Sequence, residues 1–168
     1  ICFIGERRFA DFLDRYLPRN PGPIMTPEGE VIGEHRGLAW YTIGQRQGLG
    51  IGGVAAHGEA PWFVAAKAVE RNALIVVQGS SHPLLWSREL VAEPVHWISG
   101  QPPGPVPLRC KCRLRHRQPL QRCTIIRYDT EQCNLRFDEP QRAITPGQSA
   151  VFYLDDECLG GCVIREAA

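Results

Sequence analysis

Residues 37–53 read GLAWYTIGQRQGLGIGG and constrain the fold more than any other stretch of this chain. Six glycines interrupt it, at Gly37, Gly44, Gly48, Gly50, Gly52 and Gly53. Each interior glycine costs a helix about 1 kcal/mol against alanine, so no helix can persist here. Glycine also permits positive φ and close approach of another backbone or a ligand. The pattern predicts a short strand over Ala39–Ile43, followed by a tight, irregular loop carrying Arg46. Taken one residue at a time, a buried loop between two strands accounts for it equally well. GLGIGG also resembles a dinucleotide-binding fingerprint, which requires a strand before it, a helix after it and an acidic residue about 20 positions on. Here VAAHGE and then Pro61 follow, and these open no amphipathic helix, so that reading is rejected.

Before this stretch, Phe9, Phe12, Leu13, Tyr16 and Leu17 recur at helical spacing and predict a helix over Arg8–Leu17, which Pro18 and Pro21-Gly22 stop. Gly22–Ile24 and Val31–Gly33 read as short extended pieces joined by a turn around Pro27, Glu28 and Gly29. After it, Trp62–Val69 and Ala73–Gln78 read as a hairpin closed by Glu70, Arg71 and Asn72. The continuous apolar run Ala73–Val77 marks a strand covered on both faces. His35 is expected to hydrogen-bond within the loop region. GSSHP, residues 79–83, is the expected boundary between a domain at 1–84 and another at 85–168.

The second half reads as all-β. Leu90–Ile98, Cys123–Tyr128 and Cys133–Phe137 are strand candidates, and Ser149–Leu154 with Glu157–Ile164 forms a closing hairpin around Asp155-Asp156. Strands at this spacing predict a small barrel or sandwich. Residues 108–117 alternate most clearly. Leu108, Cys110, Cys112 and Leu114 share one face; Arg109, Lys111, Arg113 and Arg115 share the other, with Arg117 beyond. Such a face suits salt-dependent phosphate contacts, and it is equally the pattern of a solvated outer face. The expected fold class is therefore α+β, mainly β: a small central α+β module and then a C-terminal β-barrel.

With 19 basic and 18 acidic side chains the chain has no overall pull towards polyanions. No apolar run approaches the roughly 20 residues of a membrane span. The chain starts at Ile1 with no signal peptide, so a reduced, cytoplasmic protein, cut from a longer one, is expected. Seven cysteines raise a zinc reading in which Cys110, Cys112, Cys158 and Cys162 supply thiolates. Both pairs sit on predicted strands among apolar neighbours, and cysteine packs well as a small hydrophobe, so no metal is expected. Cys2 lies just before the predicted helix, with Arg7 and Arg8 close by, a setting that favours a thiolate. On residues alone, an inert buried cysteine in ICFI is the simpler account.

HRGLAWYTIGQRQGLGIGG closely resembles the central signature of the tRNA-specific 2-thiouridylases. ICFIGERRFADFLDRYLP, WFVAAKAVERNALIVVQG, RLRHRQ and ITPGQSAVFY extend that resemblance over nearly the whole chain. It covers only the C-terminal part of the family's architecture. The resemblance implies a barrel like those of translation factors, and it places the family's sulfur-carrying cysteine on Cys2, which would hold a persulfide. It implies tRNA contacts at Arg115, His116 and Gln148, although the family usually has tyrosine where His116 stands. Arg113, Arg117 and Arg46 join them as candidate tRNA-binding residues. The implied reaction adenylates the wobble uridine with ATP and then replaces its C2 oxygen by sulfur. The ATP-binding domain lies N-terminal to this stretch, so no cofactor is expected in the chain itself, nor activity from it alone. The implied partners are tRNA and a sulfur-donor or relay protein of the cysteine desulfurase system, with no membrane. The competing class is a stand-alone RNA-binding barrel without a sulfur role.

Overall fold

The structure is a computed structural model and describes residues 19–51 and 58–168. The predicted helix Arg8–Leu17 and the candidate Cys2 lie outside the described residues. The chain divides into two compact units, Ile1–Leu84 and Leu85–Ala168.

In the first unit, β1 (Gly22–Met25) and β2 (Val31–His35) pair antiparallel across the turn at Pro27–Gly29. The hairpin expected after the glycine-rich run is present as β3 (Trp62–Ala68) and β4 (Ala73–Gln78). A 3-10 turn at Val69–Arg71 and a left-handed Asn72, φ 46°, close it. The sheet order is β2-β1-β4-β3, with β1 parallel to β4. As an inner strand, β4 buries Leu74 and Val76 on one face and Ala73 and Val77 on the other, which is what its unbroken apolar run implied.

The strand predicted over Ala39–Ile43 does not form. Leu38–Trp40 is a 3-10 turn, in which the Trp40 and Tyr41 N–H groups donate back to the Gly37 and Leu38 carbonyls. A strand would need a ladder partner, and among the described residues the edge of β3 exchanges two backbone bonds with this run. Gly44 N–H donates to the Val64 carbonyl at 2.7 Å, and Val64 N–H donates to the Gln45 carbonyl at 3.0 Å. Both fall where β3 bulges between Val64 and Ala66. Tyr41 and Leu49 turn inward onto Ile24, Val64, Leu74 and Val76 and anchor the run from both sides. Gln45 then serves the loop backbone: its Oε1 accepts from Thr42 N–H and its Nε2 donates to the Gln47 carbonyl.

The second unit contains β5 (Trp86–Ala92), β6 (His96–Trp97), β7 (Leu108–Arg113), β8 (Gln121–Tyr128), β9 (Cys133–Arg142), β10 (Ser149–Leu154) and β11 (Glu157–Ala167). The ladder runs β10-β7-β8-β9-β5-β11, and β11 pairs back onto β10, closing a six-stranded barrel. The single strand expected over Leu90–Ile98 is split into β5 and β6. Pro94, which has no N–H to give a ladder, falls in the gap. The chain is thus mainly β with a C-terminal barrel, as its patterning predicts. Among the described residues no helix is long and apolar enough to cross a membrane.

A barrel of six strands is narrow, and its inward positions must be filled by side chains of mixed size. Phe137, Phe152, Leu135, Ile125 and Ile164 are the large members. Ala92, Ala150 and five cysteines, Cys110, Cys112, Cys123, Cys133 and Cys162, are the small ones. Two of the cysteines weighed as zinc ligands face cysteines outside that set. Cys110 stands opposite Cys123 with Sγ atoms 3.6 Å apart, and Cys162 meets Cys133. The bond to Cys123, together with burial, pushes the Cys110 thiol far up; the contact with Cys162, together with burial, does the same to Cys133. Since the thiolate is the reactive form, alkylation of the native protein should label the half-buried Cys158 well before these interior thiols. Peptide mapping by mass spectrometry checks this, and native-state labelling of Cys110 at the rate of Cys158 would contradict it.

Candidate nucleic-acid interface

Barrel closure sets β10 beside β7, with Val151 opposite Arg113 and Tyr153 opposite Lys111. On β7 the alternation is as expected: Cys110 and Cys112 point inward, and Arg109, Lys111 and Arg113 point outward. The strand stops at Arg113, earlier than its pattern predicts. Residues 115–118 form a turn in which Gln118 N–H donates to the Arg115 carbonyl at 3.0 Å, while Gln118 Oε1 accepts from Leu114 N–H. Arg115 therefore leaves the row of cations on β7, and His116 and Arg117 sit exposed at the turn's tip.

Gln148 arrives by a separate device. In the turn Thr145-Pro146-Gly147-Gln148 the Gln148 N–H donates to the Thr145 carbonyl, and Gly147 has φ 83°. Proline followed by a glycine at positive φ is the requirement of a type II turn. Gly147 N–H donates to the Ile164 carbonyl and Ile164 N–H donates to the Gln148 carbonyl, so the turn is pinned to β11.

A hollow of about 550 Å³ results, lined by Arg113, Arg115, His116, Gln148 and Tyr153 among others, with no aspartate or glutamate among the described residues of its wall. The Arg113 guanidinium lies 5.6 Å from the Tyr153 ring centroid, a cation–π contact. Its Nε is buried and makes no hydrogen bond. Arg115 is differently employed: its guanidinium donates to the Ala143 carbonyl at 3.0 Å and so supports the 143–145 turn.

The candidate residues do not all converge. Arg113, Arg115, His116 and Gln148 line one hollow, whereas Arg117 is exposed outside its wall. Arg46 is exposed on the glycine-rich loop of the first unit. Arg109, counted with the basic face, is taken: it grips Asp138 bidentately at 2.9 and 3.0 Å. Tyr153 ends the ITPGQSAVFY stretch but carries no signal of its own there, because nothing local shows that β10 pairs with β7.

Comparison with known proteins defines the class first. Residues 10–78 match the tRNA methyl transferase PRC-barrel domain and residues 87–164 the aminomethyltransferase beta-barrel domain. The chain is thus a two-domain piece of the kind found in tRNA-modifying enzymes. It is 61% identical over 165 residues to the tRNA-specific 2-thiouridylase MnmA of Chromohalobacter salexigens, covering 98% of this chain and 43% of that relative. Against the same-named protein of Alcanivorax borkumensis it is 56% identical over 168 residues, covering 100% and 46%. Against that of Marinobacter nauticus it is 57% identical over 166 residues, covering 99% and 42%. The chain belongs to the tRNA-specific 2-thiouridylase family, as a C-terminal portion, and spans less than half the length of these relatives.

Proposed function

We propose that this chain is the tRNA-holding part of a tRNA 2-thiouridylase, and that the hollow beside β7 and β10 takes backbone phosphates of the tRNA. The Arg113 guanidinium, stacked on Tyr153 in a wall without carboxylates among the described residues, carries this reading. Arginine presents a rigid fork of donors suited to phosphate oxygens. His116 at the turn tip adds a donor or a stacking face, and the Gln148 amide, which makes no hydrogen bond among the described residues, adds two donors and an acceptor. Arg117 at the turn tip and Arg46 on the glycine-rich loop serve as further phosphate contacts.

In the whole enzyme, ATP is a substrate that adenylates the uridine C2 oxygen and makes it a good leaving group. The outer sulfur of a persulfide on Cys2 then attacks C2 and displaces AMP. A second cysteine thiol, from the stretch of the relatives that this chain does not span, breaks the S–S bond by attacking the Cys2 sulfur and ends as a disulfide with it. The ATP-binding part belongs to the stretch of the relatives that this chain does not span, and a cysteine desulfurase system loads the persulfide. Domain 1–84 contributes the cysteine motif and 85–168 the barrel surface, in a protein of the cytoplasm.

The test is a tRNA titration over a salt series. Substituting Arg113 and His116 together by alanine should weaken binding about tenfold and flatten the salt dependence by about one phosphate contact per lost cation. Arg109→Ala should change affinity little, because Asp138 already holds that guanidinium. Equal affinity of the double variant and the parent at low salt would remove the assignment.

A further inference from the structure

A second recess adjoins the hollow and shares Leu114, Arg115 and Gln148 with it. It encloses about 350 Å³, within the roughly 300–1,000 Å³ of small-ligand sites. Its wall differs in kind from that of the hollow. Gln118, Gln121, Gln141 and Gln148 bring four side-chain amides to it, together with Glu139 and the indole of Trp86.

Gln141, 5% exposed, holds this group together. Its Oε1 accepts from Gln118 Nε2 at 2.9 Å, and its own amide nitrogen donates to Gln121 Oε1 at 3.3 Å and to the Glu139 carbonyl at 2.9 Å. A carboxamide has two N–H donors and two lone pairs on its oxygen. Gln118 uses one N–H on Gln141, and Gln121 uses one on the Pro119 carbonyl. Among the described residues each therefore keeps one N–H in hand, while Gln148 keeps its whole amide. Trp86, an indole 43% exposed, stands among these groups.

We infer that this recess binds one unstacked nucleobase of the RNA whose phosphates occupy the adjoining hollow. The proposal rests on the RNA reading above and adds a base-contacting site to it. Amides offer donors and acceptors side by side, as the edges of a splayed base do, and an indole offers a stacking face that accepts any base. The recess sets Glu139 beside Arg115 and Arg142, whereas the hollow next door has no carboxylate among the described residues of its wall and suits phosphate better. Backbone and base thus divide between two neighbouring sites joined by Gln148.

The experiment compares a stem-loop RNA taken from tRNA with copies carrying a single abasic site at successive loop positions, each titrated against this chain. One abasic position should weaken binding about tenfold, the usual size of one base–aromatic stack. Trp86→Ala should weaken the intact RNA by the same factor and leave that abasic copy unchanged, and Trp86→Phe should recover the loss. Arg113→Ala should weaken intact and abasic RNA alike. If the parent binds all copies equally, or if Trp86→Ala weakens both kinds alike, the base site is wrong and the phosphate hollow stands. If no RNA binds in a salt-dependent way, the RNA reading fails and the base site with it.

Discussion

Replacing Gly160 by alanine should lower the stability of the barrel by about 3 kcal/mol, as the sum of backbone strain and overpacking. Gly160 has φ +148°, and a Cβ built there would lie 2.1 Å from the His96 carbonyl oxygen and 3.0 Å from the Trp97 Cα. Both are backbone atoms of β6, so no side chain can swing aside to make room. At this point β11 is flanked on both edges, with Gly160 paired to Phe152 of β10 and to Trp97 of β6. Pushing β6 away would uncover Trp97, which is buried against Phe152 and meets the Tyr128 ring edge-on at 5.8 Å. The substitution therefore costs core contact as well as local strain. Urea unfolding followed by tryptophan fluorescence measures it. Gly104→Ala is the control, because the nearest atom to its Cβ is Leu108 Cδ1 at 4.0 Å, and its midpoint should hardly move. A Gly160→Ala midpoint equal to that of Gly104→Ala would show that β6 gives way freely.

The second large effect is expected at His35, in the first unit. Its ring is 1% exposed and bonded at both nitrogens. Gly37 N–H donates to Nδ1 at 3.0 Å, which leaves Nε2–H to donate to the Asn72 carbonyl at 2.9 Å. Asn72 in turn donates its amide to the Pro21 carbonyl at 2.8 Å. One imidazole thus ties the end of β2, the turn before β4 and the entry to the glycine-rich run. His35→Ala opens a cavity and strands a buried N–H and a buried C=O, each worth about 1–3 kcal/mol unpaired. A loss of about 3 kcal/mol follows, with faster amide hydrogen exchange at Gly37 and Gly44. His35→Gln, which offers one acceptor and one donor, should recover part of it. Unchanged exchange at Gly37 in the alanine variant would mean that the loop is held from β3 alone.

Some of this was legible without coordinates. The hairpin of β3 and β4, the doubly buried β4 and the outward row Arg109, Lys111, Arg113 follow from side-chain period and turn chemistry within a few residues. The role of His35 as a hydrogen-bonder near the loop was also readable. The misreadings have a common origin in distant neighbours. Trp40, Tyr41 and Ile43 have strand-like side chains, yet among the described residues the edge of β3 bonds to Gly44 and Gln45, and the preceding residues satisfy themselves in a 3-10 turn. Arg115 continues the alternation of β7 on paper, but the turn at 115–118 takes it out of the row. Cysteine as a small packing residue is readable from the apolar neighbours of Cys110, Cys112 and Cys162, but the narrow barrel that these residues fill is not.

Sequence alone therefore determined the family, the mainly β class and the face each strand presents, since a period of two settles inside from outside along any strand. Tertiary structure decided which faces became neighbours. It set Tyr153 beside Arg113, gave Arg109 to Asp138, and assembled three glutamines from β8, β9 and the 115–118 turn around one recess. The reason is physical: alternation is written in each strand by itself, whereas barrel closure pairs strands far apart in the chain. Only that pairing tells a cation held by a carboxylate from one stacked on a ring.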